Sequence, residues 1–160
     1  SQDMERVIKA LNLCRALHEG QVDKCGQPYW IHPFTVAMGI FTGHNQNVIS
    51  NMVVGLLHDV PEDTGMPVEA LATLIELTDE EKLALELLTH KKEMPYDEYI
   101  NSIVESENKL AIEVKLDDLL HNMNLSRLAD VGIEITSADA DRANKYTKAA
   151  EKLLVKLNEM

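Results

Sequence analysis

Apolar residues recur along the chain at intervals of three and four, and no stretch shows the period-two alternation of a half-buried strand. Val7, Leu11, Cys14 and Leu17 share one stripe, which predicts an amphipathic helix through the first twenty residues, ending near Gly20. GQVDKCGQPYW reads as a loop by its glycines and proline. Ile31 to Phe41 is again helix-compatible, with Pro33 placing the helix start close to it. NVISNMVVGLLHD is apolar nearly all round and predicts a buried helix. Pro61 has no N–H to donate and biases Val60 away from helical dihedrals, so this helix is expected to stop there.

Downstream, Thr64-Gly65 marks a turn, Pro67 opens a short helix through Leu74, and Thr78 caps TDEEKLALELL, whose first turn is acidic. MPYDEYINSIV gives one more helix. NKLAIEVKLDDLLHNMNLSRL is a second long segment that is apolar on most sides, yet Lys115, Asp118 and Asn122 form a polar stripe along it at i, i+3 and i+7. Thr136 or Ser137 caps a final helix with Tyr146, Ala150, Leu153 and Leu157 facing inward. The expected fold class is all-α, a single domain over residues 1–160 with about eight helices.

Composition narrows the partners. The 160 residues suit one domain, and 45% hydrophobic with 26% charged residues is ordinary for a globular protein. A formal net charge of -12 argues against nucleic acid or an anionic membrane as partner. It leaves open a small phosphorylated ligand met by a local cluster of cations. Cys14 and Cys25 form neither a disulfide framework nor a metal-ligand spacing and read as reduced thiols. No apolar run approaches ~18 residues and no basic-then-apolar leader opens the chain, so the expected location is cytoplasmic. The oligomeric state is not fixed by any of these patterns.

LLHDVPEDT places His58, Asp59, Glu62 and Asp63 where a buried helix ends. Buried carboxylates without partners are costly, so they require compensation, and a metal ion supplies it. His58 and Asp59, about 100° apart on the helix, can converge on one ion lying against its end. His32 and Asp118 offer two further ligands of suitable type from other helices. Two imidazoles and two carboxylates without thiolate suit Mn, Fe, Zn or Ni better than Ca. The plainer alternative for each residue alone is a singly satisfied core or surface side chain.

HEGQVDKCGQPYWIHPFTVA, GLLHDVPEDT, LTHKK, YDEYI and VKLDDLLHNMNLSRL, in that order, resemble the HD-domain phosphohydrolases, most closely the alarmone hydrolases of the Rel/Spo type that remove the 3′-pyrophosphate of (p)ppGpp. The resemblance runs from about His18 to Arg127 and more weakly through the last helix. It implies a divalent transition metal, with Mn²⁺ the leading candidate, held by His32, His58, Asp59 and Asp118. It implies Glu62 and Asp63 as base and orienting group beside the attacking water, a division the residues alone leave open because Pro61 perturbs their geometry. It further implies nucleotide contacts from Lys24, Lys92 and Asn122, to which Lys91, Lys115 and Arg127 could add positive field. Tyr29 and Tyr146 are candidates to stack on a base or to pack in the core.

The chain departs from the family pattern in two places. Asp23-Lys24 stands where Arg-Lys is usual, exchanging a bidentate phosphate donor for an acid, as in a group of small stand-alone bacterial HD proteins that GQVDK resembles. KLDDLL adds Asp117 and puts Leu119, not a basic residue, behind Asp118. The leading expectation is an enzyme converting ppGpp to GDP and pyrophosphate, hydrolytic only, since no synthetase segment fits in 160 residues. The alternatives are a phosphatase for another nucleotide, such as a deoxynucleotide monophosphate or the 2′-phosphate of NADPH, and a nucleotide-binding sensor without turnover. A purely structural helical protein is the last option, and it leaves Asp118 inside an apolar helix unexplained.

Overall fold

A computed structural model describes residues 2–43 and 47–160, and its described residues form ten helices. These are α1 (Gln2–Leu17), α2 (Ile31–Ala37), α3 (Val48–Leu57), α4 (Val60–Thr64), α5 (Val68–Ile75), α6 (Asp79–Leu88), α7 (Tyr96–Ser106), α8 (Lys109–Asn122), α9 (Ser126–Asp130) and α10 (Ser137–Glu159). The only extended pairing among the described residues is an isolated bridge between Val22 and Pro28 in the glycine loop. The fold is all-α, as the periodicity predicts.

The count exceeds eight because a short helix follows each of the two long buried ones. Pro61 lacks the N–H that would reach the Leu57 carbonyl, so α3 ends at Leu57, earlier than expected, and Pro61 sits in the first turn of the short α4. His58 and Asp59 therefore occupy the joint between two helices. The segment from Asn108 to Leu128 likewise divides at Asn122, giving α8 and the five-residue α9. Thr78 and Thr136 each cap a helix reciprocally, with Glu81 and Asp139 reaching back to the capping N–H.

Helices α3 and α8 are buried on most sides, with α8 packed against α2, α6 and α10. Val53, Val54, Leu57, Ile112 and Leu119 are essentially inaccessible, and each such aliphatic side chain contributes about 1.5–3 kcal/mol when withdrawn from water. Gly55 sets the distance between α3 and α2: a Cβ there would lie 2.8 Å from Ala37 Cα. That close crossing brings the helix carrying His32 against the end of the helix that leads into His58.

Candidate metal centre

The four expected ligands come together from three places: His32 in the first turn of α2, His58 and Asp59 at the α3–α4 joint, and Asp118 two-thirds along α8. Ligand atoms of His32, His58 and Asp59 all lie within 4.8 Å of one another. Asp118 Oδ1 is 2.9 Å from His32 Nε2 and 3.3 Å from His58 Nε2, while Asp59 Oδ2 is 3.7 Å and 3.2 Å from the same nitrogens. An ion with ligands at ~2.0–2.2 Å spaces neighbouring donors roughly 3.0–3.5 Å apart, so these separations fit a first-row cation.

His58 carries the clearest sign of a missing partner. Its Nδ1 lies 2.6 Å from the Gly55 carbonyl, to which it donates, leaving Nε2 directed at the carboxylates. That Nε2 is buried and makes no aligned hydrogen bond, although Asp59 and Asp118 oxygens stand close by. A lone pair facing two carboxylates is repulsive unless positive charge lies between them, and either an imidazolium proton or a divalent cation meets that need. Burial opposes charge on His58, but Asp59 and Asp118 override it and raise its pKa well above the ordinary value. Burial likewise opposes ionisation of Asp118, yet Lys115 and the two imidazoles hold its carboxyl well below the usual range.

Surrounding groups fix these side chains. Lys115 Nζ pairs with Asp118 Oδ2 at 2.9 Å, Asn122 Nδ2 donates to Oδ1 at 2.9 Å, and the Tyr29 hydroxyl donates to Asp59 Oδ2 at 2.6 Å. His121, whose pKa burial and the neighbouring His32 push down to about 4, sits with its Nδ1 2.7 Å from His32 Nδ1. Lys115 is itself raised well above its ordinary value, because Asp118 outweighs the cost of burial.

A cavity of about 300 Å³ opens over this cluster, lined by His58, Asp59 and Asp118 together with Glu62, Lys115 and Lys145. Glu62 Oε1 accepts the backbone N–H of His90 at 2.6 Å, which aims the carboxylate. Asp63 does not line this cavity; partial desolvation and the nearby Asp59 charge push its pKa up. A second cavity, of about 350 Å³, shares Tyr29, Asn122 and Tyr146 with the first and is otherwise walled by the glycine loop, α9 and the start of α10. Lys24 faces the second cavity and pairs with Asp139 at 2.8 Å, and Arg127 pairs with Asp23 at 2.9 Å. Lys91 and Lys92 are exposed and line neither cavity.

Sequence reasoning did not single out His90, His121 or Lys145. His121 lies three residues past Asp118 on the same helix face, a spacing that could have found it. Lys145 stands beside Tyr146 on the outward side of α10 in sequence terms, and the packing of α10 against α8 and α7 brings it over the cavity. Asp117 is not part of the cluster. Buried on an adjacent face of α8, it accepts the backbone N–H groups of Phe41 and Thr42, both at 3.1 Å, and so holds the turn after α2.

No family model matches the chain. A guanosine-3′,5′-bis(diphosphate) 3′-pyrophosphohydrolase of Borreliella burgdorferi is 37% identical over 83 residues, which is 52% of this chain and 12% of that protein. A GTP pyrophosphokinase of Myxococcus xanthus is 31% identical over 131 residues, 76% of this chain and 17% of that protein. The chain thus spans under one fifth of the length of these curated relatives. A solved structure described as a metazoan ortholog of SpoT that hydrolyses ppGpp superposes with a TM-score of 0.71 over 95% of this chain and 85% of the other, at 22% identity. The sequence matches and the shared fold together support a Rel/Spo-type HD hydrolase domain.

Proposed function

We propose that the chain is a metal-dependent hydrolase that removes the 3′-pyrophosphate of ppGpp, giving GDP and pyrophosphate, with a cytoplasmic setting in keeping with two free thiols at Cys14 and Cys25. The observation that carries it is the convergence of His32, His58 and Asp59, with Asp118 against both imidazoles, beneath a cavity that also holds Glu62. The activity named for the Borreliella relative supports the substrate class.

His32, His58, Asp59 and Asp118 would hold a divalent transition metal, for which Mn²⁺ is the first candidate. Such an ion acidifies bound water and draws charge from a phosphate oxygen. Glu62, in the cavity and aimed by the His90 N–H, takes the proton from the attacking water. Asp63 stays the candidate orienting group, outside the cavity and near enough to Asp59 to feel its charge. The water oxygen bonds to the ribose-linked phosphorus, the bond to the 3′-oxygen breaks, and the proton passes to that oxygen. Lys115 and Tyr29 keep Asp118 and Asp59 in place throughout. Asn122 and Lys24, on the shared wall and in the second cavity, contact the nucleoside side of the substrate.

The test is a screen of nucleotides with Mn²⁺ present, products resolved, alongside elemental analysis. Expected are about one transition ion per chain, lost in His58→Ala and Asp118→Ala, and release of intact pyrophosphate from ppGpp. Orthophosphate as the first product, or no turnover of ppGpp beside rapid turnover of a nucleoside monophosphate, would reject this substrate and bond.

A further inference from the structure

Five cations line the two cavities, and four of them are already matched by carboxylates. Lys24 and Arg142 pair with Asp139, Arg127 with Asp23, and Lys115 with Asp118. Lys145 is the exception: among the described residues its ammonium makes no ion pair and lies instead over the ring of Tyr96, 4.1 Å from the centroid, with Tyr146 at 5.8 Å. It lines the same cavity as His58, Asp59, Glu62 and Asp118. Tyr96 lines the same cavity, and its hydroxyl is buried without a hydrogen-bond partner. A buried hydroxyl without a partner calls for an explanation, and so does a cation placed over an acidic cluster without a carboxylate of its own.

We propose that Lys145, with the Tyr96 hydroxyl beside it, is the site that grips the phosphate oxygens of the substrate. The site takes a diphosphate or pyrophosphate group. Its ammonium supplies a point charge, the hydroxyl supplies a directed donor, and the two ring faces hold the ammonium over the cavity before the ligand arrives. Lys24, tied to Asp139, is then left to the nucleoside side, and Lys92 has no part in phosphate binding. This assignment deepens the proposed function and rests on it for the identity of the substrate, but the anion itself can be tested alone.

Metal-loaded protein is titrated with inorganic pyrophosphate at constant free Mn²⁺, by calorimetry, for the wild type, Lys145→Ala, Lys145→Arg, Tyr96→Phe and Lys148→Ala. Lys148 is exposed on the same helix and lines neither cavity. Expected are a loss of about tenfold or more in Lys145→Ala, a smaller loss in Tyr96→Phe, near-recovery in Lys145→Arg and no change in Lys148→Ala, with metal content equal in all. Wild-type protein that does not bind pyrophosphate, Lys145→Ala binding like wild type, or Lys148→Ala losing as much, overturns the assignment. Binding that depends on Lys145 in a protein inert toward ppGpp would keep the anion site and discard the alarmone reading.

Discussion

His32 and His121 face each other Nδ1 to Nδ1 at 2.7 Å, their rings stacked with centroids 5.0 Å apart and 13° between planes. One proton fits between those nitrogens, so one ring donates and the other accepts. When His32 is the donor, its Nε2 keeps a lone pair directed into the ligand cluster, which is what a metal requires. His121 is then a positioning residue for His32. His121→Ala is expected to weaken Mn²⁺ affinity by about 10–100-fold without abolishing the fold, and His121→Asn, whose amide oxygen can accept the same proton, to recover part of it. A metal titration in which both variants bind like the wild type would remove this role.

Glu62 and Asp63 separate by location. Glu62 lines the cavity over the cluster, and Asp63 does not. Glu62→Gln should lower turnover by ~10² or more while metal content and melting temperature stay level, because the amide keeps the shape and loses the basicity. Asp63→Asn should cost clearly less. Equal losses in both, or ion loss from Glu62→Gln, would show that the roles are divided wrongly.

The fold class and the gathering of the four candidate ligands were legible because each rests on a local signal: helical periodicity, and polar residues lodged in two helices that are otherwise apolar. Asp118 stood out for that reason, inside Leu116 and Leu119. Surface cations carry no such mark. Lys92 and Lys145 look alike in sequence, and only tertiary packing leaves Lys92 outside and puts Lys145 over the cavity. Asp117 and Asp118 differ by one position, and the 100° turn between them sends one to the turn after α2 and the other to the cluster. The end of α3 was legible too, because Pro61 removes a backbone donor locally, whereas no proline or glycine marks the division after Asn122.

Away from the site, Glu81 is fully buried and joins three helices. Both its oxygens receive Arg6 of α1, at 2.6 and 2.9 Å, and Ser50 of α3 donates to it at 2.6 Å. Burial alone would raise its pKa, but the Arg6, Ser50 and Thr78 hydrogen bonds lower it below 4.5. A depressed carboxyl contributes stability that is fully present above the ordinary value and is lost as pH falls through the folded one. Glu81→Gln is therefore expected to destabilise by about 3 kcal/mol at pH 7. The gap to wild type should narrow as pH drops below 4.5. Urea unfolding at neutral and acid pH measures both; a gap that widens with acid would show that Glu81 is not the group responsible.

Asp23 puts an acid on the wall of the second cavity where the family pattern has a phosphate donor, and its partners define what that acid does. Its Oδ1 accepts the N–H groups of Cys25 at 2.8 Å and Gln27 at 2.9 Å, which closes the glycine loop, while Oδ2 pairs with Arg127 at 2.9 Å. The carboxylate thus has a loop-forming oxygen and a charge-neutralising one, and two substitutions separate them. Asp23→Asn keeps an acceptor for the loop but frees Arg127 to meet phosphate as a bidentate donor. It should leave the melting temperature nearly unchanged, lower KM for ppGpp several-fold and make binding more sensitive to salt. Asp23→Ala removes the loop acceptor as well, at a cost of about 1–3 kcal/mol for the two N–H groups left without it. Adding Arg127→Ala to Asp23→Asn should erase the gain in KM, since the gain belongs to the released guanidinium. If Asp23→Asn raises KM instead, the ion pair itself shapes the cavity wall, and its charge does not oppose the substrate.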